Sequence, residues 1–481
     1  MEKQMNFTIL QLNDTHAYLE PHQEMFWEGG TTKYRKAGGF VKIAGYLKQL
    51  RKEQKGVLAL DCGDTFHGTY PAVASKGEVM VPVLNELGLA AMTAHWEFAY
   101  GPEQFRKLTE MLNFPMLAIN VYDKATDNLV YKPYVVLEVN GVRVGVIGIA
   151  CNIVDKTMPP HFSKGIYFTL GNVELPGYIQ KLRQEEKVDL IVLISHLGFP
   201  QNMKLLSEVE GVDICLSSHT HYRTPNAVKQ GQTIVIESGC HGSFLGRLDL
   251  TIENGRISSY KHELVEVSDR LPVDGKMQEL VQQAVQPYRK ELKQRVGETA
   301  TVLDRNNILE STMDNFLLQS MLHATGAELA FSNGWRYGAP IVPGPVTLND
   351  LYNIIPMNPP IQTVELTGQE LQDMLEENLE KTFSSDPYAQ QGGFVKRCMG
   401  LRAFIKIEAP KGTRIQKLFV SDEELDLHRT YKAAFVTEQG VPKKYGANRA
   451  DAGIKAIAAM KQYLNNHSPV RADLLGTFTA V

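Results

Sequence analysis

Apolar runs that end in acidic residues or histidine recur through the first half of the chain. The runs at residues 7–12, 56–60, 188–194 and 214–216 have the length and the Val, Ile and Leu content of β-strands. The run at 188–194 is almost continuously apolar, which is typical of a strand buried on both faces. Loops that leave one edge of an α/β sheet converge, so we expect the polar residues behind these runs to meet.

The polar residues that follow these runs are of types that bind metals. Asp14 and His16 are two residues apart, as are His219 and His221, so each pair lies on one side of an extended segment. A site for two cations about 3.5–4 Å apart needs about seven ligands, with one carboxylate shared between the ions. Mixed carboxylate and imidazole ligands favour Mn, Fe or Zn over Mg or Ca, so the pattern predicts a two-metal hydrolase site. In chain order the candidate ligands are Asp14, His16, Asp64, His95, His196, His219 and His221.

Other patterns predict elements that do not carry candidate ligands. The runs at 135–139 and 142–147 flank Asn140-Gly141, which is a strong signal for a β-hairpin. A stripe at helical spacing predicts a core-facing helix that contains Phe40, Ile43, Ala44, Leu47 and Leu50. Further on, residues 361–366 read as a strand, and Thr367 with Glu370 forms a capping box that opens a helix to about residue 379.

The domain organisation is predicted from a change of pattern near residue 270. Residues 265–272 are polar and contain a proline, and residues 277–296 then read as an amphipathic helix. We therefore expect a metal domain at 1–270, a linking helix at 271–296 and a second domain at 297–481. The length of 481 residues fits two or more domains.

Composition and charge narrow the class of protein. The chain is 43% hydrophobic, has no biased tract and carries a formal net charge of -4, from 50 Lys and Arg against 54 Asp and Glu. The chain therefore has no excess of positive charge that would attract a nucleic-acid polymer or a membrane surface. No apolar stretch of the sequence approaches the length of a membrane span. A small anionic substrate is the expected partner.

Cysteine usage and the N-terminal segment bear on the compartment. The five cysteines are odd in number, scattered and free of Cys-x-x-Cys spacing, as expected of reduced thiols. The segment that precedes the first strand has no apolar signal core. We therefore expect a cytoplasmic protein.

The chain resembles the metallophosphoesterase and 5′-nucleotidase family over nearly its whole length. Members of this family include secreted nucleotidases, cyclic phosphodiesterases and the thiosulfohydrolase of the sulfur-oxidation pathway. In the first half the matching motifs are ILQLNDTH at 9–16, GDTFHG at 63–68, SHLG at 195–198, SHTH at 218–221 and LGRLD at 245–249. In the second half they are SNGWR at 332–336, VELTG at 364–368 and GGF at 392–394.

The resemblance implies a fold and a set of roles. The fold would be an N-terminal four-layer α/β/β/α metallophosphoesterase domain followed by a C-terminal α/β substrate domain of the 5′-nucleotidase type. Two divalent metal ions would be bound, with manganese the expected metal and zinc or iron the alternatives. Asp64 would bridge the ions and Asp61 would support its loop as a hydrogen-bond acceptor. One ion would be held by Asp14, His16, Asp64 and His221, and the other by Asp64, His95, His196 and His219.

One motif departs from the family pattern. Where nucleotidases read Gly-Asn-His-Glu-Phe-Asp, residues 94–99 read Ala-His-Trp-Glu-Phe-Ala. The Asn ligand becomes His95, the catalytic His becomes Trp96, and the Asp that orients this His becomes Ala99. The lost histidine normally stabilises charge on the transferred group. Three explanations stay open: His95 reshapes the site, another residue among His67, His241 and Arg336 takes over the charge, or the enzyme is weakened.

The resemblance also assigns residues to the substrate. It implies catalytic roles for His95 and Arg336. Arg336, Arg397 and Arg402 are predicted to lie in loop-like stretches, where their guanidinium groups would bind phosphate or sulfonate oxygens. Nucleotidases clamp a base between two aromatic rings, for which Phe394 is the first candidate, while the second motif is not recognisable. Trp335 and Tyr445 are candidates for the second ring. The predicted substrate-binding residues are Asn333, Arg336, Phe394, Arg397 and Arg402.

These observations support three functional hypotheses. The first is a two-metal hydrolase that cleaves a small phosphate ester, with a nucleotide preferred, by metal-activated hydroxide. The second keeps the metals and attacks the sulfur of a thiosulfonate, because the His-Trp-Glu-Phe string at 95–98 resembles the thiosulfohydrolase branch and the loop at 335–338 also suggests it. The third is a weakly active or non-catalytic relative that binds a nucleotide in the same cleft.

Overall fold

The computed structural model describes residues 4–481. Residues 1–3, which belong to the N-terminal segment on which the predicted compartment partly rests, lie outside the described residues. The chain forms two compact units. The first unit comprises Met1–His22 and Lys36–Pro287, and the second comprises Gln23–Arg35 and Tyr288–Val481. The predicted boundary at residue 270 did not anticipate that the short segment Gln23–Arg35 groups with the second unit.

The strands run through both units. In chain order they are β1 Met5–Leu12, β2 His22–Glu28, β3 Thr31–Ala37, β4 Val57–Asp61, β5 Ala91–Met92, β6 Val121–Asp123, β7 Tyr134–Val139, β8 Val142–Ile149, β9 Ile166–Phe168, β10 Leu190–Ser195, β11 Ile214–Ser217, β12 Val228–Gln230, β13 Thr233–Ile236, β14 Phe244–Glu253, β15 Arg256–Glu266, β16 Arg295–Thr299, β17 Leu329–Ser332, β18 Gly344–Thr347, β19 Pro360–Thr367, β20 Arg397–Met399, β21 Leu401–Ile405, β22 Ile415–Val420, β23 Glu423–Glu424, β24 Thr430–Val436, β25 Ala447–Lys455 and β26 Phe478–Ala480.

The helices alternate with these strands, and short 3₁₀ turns occur at Trp96–Tyr100, Pro160–Ser163 and Pro387–Ala389. In chain order the helices are α1 Phe40–Glu53, α2 Tyr70–Ala74, α3 Met80–Leu87, α4 Pro102–Met111, α5 Val154–Thr157, α6 Leu175–Gln184, α7 Phe199–Glu208, α8 Gly275–Leu292, α9 Thr312–Thr325, α10 Leu348–Ile354, α11 Gly368–Phe383, α12 Thr437–Gly440 and α13 Ala456–His467. No helix within residues 4–481 is long and apolar enough to span a membrane.

Two sheets form the centre of the first unit. One has the strand order β15-β14-β1-β4-β5, and the other has the order β12-β13-β11-β10-β8-β7. Strands β1, β4 and β5 are parallel, as are β8, β10, β11 and β13, so their carboxyl ends share an edge within each sheet. One apolar core contains Ile9 and Leu60 from the first sheet together with Val146 and Val192 from the second. The two sheets therefore pack face to face.

Helices cover the outer faces of these sheets. Helix α1 lies against the first sheet, where Tyr46 accepts a hydrogen bond from Arg247 of β14 at 3.2 Å. Helix α6 lies against the second sheet, where Leu182 packs over Gly145 of β8 so closely that a Cβ there would lie 2.9 Å from it. The layers are therefore α/β/β/α, and the predicted fold of the first half is confirmed.

The second unit is also mixed α/β. Its main sheet has the order β20-β17-β24-β19-β25, and a four-stranded sheet has the order β23-β22-β21-β26. Helix α11 packs between apolar residues of both, with Leu371 and Leu375 in a core shared with Phe331 and Ala403. The capping box predicted at Thr367 opens this helix, which extends past the predicted end to Phe383. The helix predicted at 277–296 is α8, which ends earlier, at Leu292, because Arg295 already begins β16, and the division between the units falls inside α8.

Candidate active site

The seven predicted metal ligands converge at one edge of the two central sheets. Their donor atoms form two groups, and the atoms within each group all lie within 4.8 Å of one another. Asp64 belongs to both groups, at the position expected for a bridging carboxylate. One group is Asp64, His95, His196 and His219, and the other is Asp14, His16, Asp64 and His221.

The distances around Asp64 are short enough for shared coordination. Nδ1 of His95 lies 3.2 Å from Asp64 Oδ1, and Nε2 of His196 lies 3.2 Å from Asp64 Oδ2. Nε2 of His16 lies 3.6 Å from the same Oδ2 atom. Asp64 is therefore surrounded on both sides by imidazole nitrogens.

The second group closes around Asp14. Nε2 of His221 lies 3.3 Å from Asp14 Oδ1, and Nε2 of His196 lies 3.7 Å from the same oxygen. Nε2 of His16 and Nε2 of His221 face each other at 3.2 Å. Nitrogens and carboxylate oxygens at these distances form a donor set that suits a divalent transition metal.

Hydrogen bonds from Nδ1 of two imidazoles direct their Nε2 atoms toward the ligand groups. Nδ1 of His16 bonds the carbonyl of His67 at 3.0 Å, and Nδ1 of His196 bonds the carbonyl of Cys62 at 2.6 Å. Such an outer partner fixes the tautomer of a metal-ligating histidine. Nε2 of His196 is buried and lies 3.2 Å from Asp64 Oδ2 and 3.7 Å from Asp14 Oδ1. An imidazole nitrogen held between two carboxylates in this way matches the donor chemistry of a divalent transition metal, so the donor set fits a bound metal.

The backbone of the ligand loops is strained at the ligands themselves. Non-glycine residues rarely adopt positive φ, and such conformations cluster at functional sites. The ligands with positive φ are Asp14 at 50°, His16 at 47°, Asp64 at 59°, His219 at 80° and His221 at 58°.

Electrostatics within the site favour ionised carboxylates. Burial alone would raise the pKa of Asp64, but the neighbouring His95, His196 and His16 outweigh burial and hold this pKa well below its usual range. Burial lowers the pKa of His16 to about 3, so this imidazole is neutral at physiological pH. Burial would lower the pKa of His196 and of His95, but Asp64 raises that of His196 to about 10, and Cys151 with Asp64 raises that of His95 well above its ordinary value. A metal ligand must be a carboxylate anion or a neutral imidazole, so a bound cation would release the protons of these two rings.

Two further carboxylates hold the ligand loops without belonging to either group. Asp61 accepts hydrogen bonds from Gly63 N–H at 2.9 Å and Thr65 Oγ1 at 2.7 Å, which confirms its predicted role as a support of the loop. Glu97 accepts from the N–H groups of Thr65 and His95, both at 2.6 Å, and so connects two ligand loops. The sequence reasoning did not assign a role to Glu97, although it lies inside the variant motif.

A second missed carboxylate is Glu237, which is completely buried directly after β13. It accepts hydrogen bonds from the loop that carries His219 and His221. The signal that identified the ligands, a polar residue just past an apolar strand, also applies to Glu237.

The position of the usual catalytic histidine is occupied by a packed indole. Trp96 donates its backbone N–H to Asp64 Oδ1 at 2.7 Å, and its side chain is buried. His67 is also buried, and burial lowers its pKa to about 4. His241 donates its backbone N–H to the carbonyl of Asp14 at 2.7 Å, and its ring centroid lies 6.2 Å from that of His16. Both alternative histidines therefore lie beside the ligand groups.

In the second unit, three of the predicted substrate residues lie on two paired loops. Phe394 N–H donates to the carbonyl of Gly334 at 2.7 Å, and Arg336 Nη2 donates to the carbonyl of Gly393 at 3.2 Å. The guanidinium carbon of Arg336 lies 5.5 Å from the centre of the Phe394 ring. Asn333, Arg336 and Phe394 are all partly exposed.

The prediction that Arg397 contacts substrate from a loop is wrong. Arg397 lies on β20, is 2% exposed and donates Nε to Asp314 Oδ2 at 3.0 Å. Its two terminal nitrogens donate to the carbonyls of Ile308 and Asn307. Its guanidinium is therefore committed to the interior of the unit.

Arg402 also differs from the predicted loop placement, while the stacking role of Trp335 or Tyr445 stays a prediction. Arg402 lies on strand β21 rather than in a loop and pairs with Asp422 at 2.5 Å on the surface, so its assignment to the substrate stays a prediction. Trp335 is 5% exposed, and the Tyr445 hydroxyl donates to Glu377 at 2.8 Å. Trp335 is therefore buried, whereas Tyr445, like Phe394, is partly exposed.

Comparison with known proteins agrees with this architecture. Residues 7–223 match the calcineurin-like phosphoesterase model, and residues 293–437 match the 5′-nucleotidase C-terminal domain model. The chain belongs to the two-domain metallophosphoesterase and 5′-nucleotidase family. This membership confirms the predicted class of enzyme, a metal-dependent phosphoric ester hydrolase, and family members bind divalent metals.

Individual relatives are distant but cover most of the chain. The 5′-nucleotidase of Vibrio vulnificus is 24% identical over 96% of this chain and 91% of its own length. The trifunctional nucleotide phosphoesterase YfkN of Bacillus subtilis is 26% identical over 85% of this chain, but the match spans only 30% of that longer protein.

Two solved structures, both from Thermus thermophilus, have closely similar folds. The sulfate thiohydrolase SoxB superposes with a TM-score of 0.91 at 24% identity, over 98% of this chain and 96% of that one. A 5′-nucleotidase precursor superposes with a TM-score of 0.87 at 25% identity, over 99% of both chains. Enzymes named for phosphate and for sulfur chemistry thus share this fold.

Proposed function

We propose that this protein is a two-metal hydrolase that cleaves a small phosphate monoester, with a nucleotide as the first candidate, and that it works with two manganese ions. The observation that carries the proposal is the pair of overlapping ligand groups that share Asp64. A carboxylate common to two sets of donors is what a dinuclear centre requires. Imidazole and carboxylate donors without thiolates favour Mn, Zn or Fe.

The residues of the first unit would hold the ions and define the reaction. When bound, the two ions supply Lewis acidity and an activated water for in-line attack. Asp64 would be shared by the two ions, and the other carboxylate and imidazoles of each group would complete the set that holds them. His95 replaces the usual amide ligand, and we assign to it the positioning of the second ion.

We assign recognition of the anionic group to Arg336. Arg336 lies on a loop that is joined to the Phe394 loop by a backbone hydrogen bond, and the Arg336 residue is partly exposed. Its planar guanidinium can bind two oxygens of a phosphate or sulfonate. We assign Asn333 and Phe394 to substrate binding together with Arg336. Because Trp335 and Tyr445 are engaged within the unit, we expect weak discrimination among nucleobases.

A second candidate function is hydrolysis of a sulfur-linked sulfonate. It is favoured by one observation: Trp96, which replaces the catalytic histidine, is packed against His67 beside Asp64. A site without that histidine has lost a donor that phosphate transfer uses. A thiosulfonate carries the same anionic oxygens, so Arg336 would serve either substrate.

The two candidates are separated by a substrate panel. Purified protein supplemented with Mn²⁺ is assayed with nucleoside monophosphates, cyclic nucleotides, sugar phosphates and thiosulfonates. Phosphate release that is abolished in Asp64→Ala and unchanged in Asp127→Asn, an exposed carboxylate of the same unit, supports the first function. Turnover of thiosulfonates alone supports the second, and metal binding without any turnover contradicts both.

We also propose a reducing compartment, the cytoplasm. The support is that, within residues 4–481, all five cysteines are buried and none is in a disulfide. Fractionation of the native host with an antibody against the protein tests this, and recovery outside the cytoplasm would contradict it.

A further inference from the structure

The carboxylate of Glu237 is buried at the edge where the metal ligands converge but belongs to neither ligand group. It accepts hydrogen bonds from Ser217 Oγ at 2.7 Å, from Thr220 Oγ1 at 2.6 Å and from the Tyr222 N–H at 2.9 Å. All three donors belong to the end of β11 and to the loop that follows it. This loop carries His219 and His221, so the donors flank both ligands.

The same carboxylate is connected to a second ligand loop through helix α7. Ser217 Oγ accepts from Asn202 Nδ2 at 3.0 Å, and Asn202 Oδ1 accepts from Ser195 Oγ at 2.6 Å. Ser195 directly precedes His196. A continuous series of hydrogen bonds therefore joins Glu237 to residues that are adjacent in sequence to His196, His219 and His221.

The free-energy cost of burying the Glu237 carboxylate indicates that this residue has a role in the site. A buried carboxylate is destabilising unless its oxygens are fully hydrogen-bonded, and all the side-chain contacts named above lead to ligand loops. His219 and His221 have φ angles of 80° and 58°, which are unfavourable for non-glycine residues and persist where surrounding contacts fix the backbone. Glu237, directly after β13, supplies such contacts through its hydrogen bonds with Thr220 Oγ1 and the Tyr222 N–H.

We propose that Glu237 is a positioning residue that fixes the His219, His221 and His196 side chains for binding of divalent metal. The inference rests on the proposed two-metal function. Outer partners of metal ligands typically change metal affinity by about 10- to 100-fold when they are replaced. We expect that range for Glu237→Gln, because the amide nitrogen would face groups that at present donate to the carboxylate.

The experiment compares Glu237→Gln with Glu310→Gln. Glu310 is a matched control in the second unit, because it is 6% exposed and accepts the N–H groups of Leu475, Gly476 and Thr477. After chelation, each protein is titrated calorimetrically with Mn²⁺, and its melting temperature is recorded with and without the metal. Ligand binding raises the melting temperature in proportion to the logarithm of metal concentration over Kd.

We expect Glu237→Gln to bind Mn²⁺ at least tenfold more weakly and to show a smaller metal-induced rise in melting temperature. Glu310→Gln should lower the melting temperature of the metal-free protein and leave the Mn²⁺ affinity unchanged. Glu237→Gln with an Mn²⁺ affinity within twofold of wild type would overturn the inference. If that variant does not fold, Thr220→Val, which removes one hydroxyl donor to the same carboxylate, is read by the same criterion. Wild-type protein that binds no Mn²⁺ would instead contradict the proposed function.

Discussion

The indole of Trp96 stacks on the imidazole of His67, with ring centroids 4.8 Å apart and an angle of 19° between the ring planes. Phe162 packs edge-on against the same indole, with centroids 5.9 Å apart. The residue that replaces the usual catalytic histidine is thus part of a packed aromatic group. Its side chain serves packing rather than proton transfer.

This packing predicts the effect of substitutions at Trp96. Trp96→Phe removes the indole N–H but keeps an aromatic ring, so we expect kcat to stay within about threefold of wild type, well short of the 10²–10³-fold loss when a transition-state donor is removed. Trp96→Ala leaves a cavity and should destabilise the first unit by about 3–5 kcal/mol. Steady-state kinetics and urea unfolding measure the two effects. A fall in kcat of more than a hundredfold in Trp96→Phe would show that the indole N–H takes part in the reaction.

Arg336 should affect substrate binding without affecting the metals. A hydrogen bond between a charged group and its partner contributes about 1.5–3 kcal/mol, so we expect Arg336→Ala to raise KM by about 10- to 100-fold for the anionic substrate. Mn²⁺ affinity should be unchanged. The matched control is Arg429→Ala, because Arg429 is an exposed arginine of the same unit that pairs with Glu328. An unchanged KM in Arg336→Ala would remove this residue from the substrate site.

The buried Asp314 should be one of the most sensitive positions in the second unit. It accepts hydrogen bonds from Arg305 Nη2 at 2.9 Å and Arg397 Nε at 3.0 Å, and all three side chains are almost fully buried. Removing the charge leaves two buried guanidinium groups without compensation, so Asp314→Asn should destabilise the unit by about 3–5 kcal/mol. The control Asp422→Asn breaks the exposed pair with Arg402 and should cost less than about 1 kcal/mol. Equal midpoints of urea unfolding for the two variants would contradict this account.

Stability should depend on pH through Lys396. Burial lowers the pKa of Lys396 from 10.5 to about 8, and its Nζ donates to the carbonyls of Gln439 and Gly440. The folded protein releases this proton at lower pH than the unfolded chain does. Stability therefore rises between about pH 8 and pH 10.5, and the cost of the buried charge is fully present below pH 8.

The measurement compares wild type with Lys396→Met, which cannot titrate at this position. From about pH 7.5 to about pH 10.5, wild type should gain about 3 kcal/mol in unfolding free energy relative to the variant. Subtraction removes the contributions of other titrating groups. A difference that does not change with pH would show that Lys396 has an ordinary pKa in the folded protein.

The sequence predicts the metal site better than the substrate site, for a physical reason. Ligands such as Asp14 and His196 follow strands whose apolar runs are visible locally, and parallel strands bring their ends together without further information. The fate of Arg397 depends on Asp314, which lies 83 residues earlier on helix α9. Sequence patterns do not show such pairings. Glu237 shows the strand-end signal but was not included among the ligands.

The second unit contains a further example of a missed signal. Strands β2 and β3 form a hairpin around Gly29 and Gly30, both with positive φ, which is a recognised two-residue turn pattern. The sequence reasoning did not predict this hairpin or its grouping with the second unit. The grouping depends on tertiary contacts such as the hydrogen bond from Tyr34 to Asp304, which no local pattern indicates.

The number of bound metal ions tests the central claim most directly. After chelation, the protein is titrated with Mn²⁺ by calorimetry, and the loaded protein is analysed for metal content and for spin coupling by electron paramagnetic resonance. Because Asp64 is common to both ligand groups, we predict two Mn²⁺ ions per chain with a coupled spectrum in wild type, and at most one uncoupled ion in Asp64→Asn. One ion or none in wild type, or two coupled ions in Asp64→Asn, would contradict a dinuclear centre bridged by Asp64.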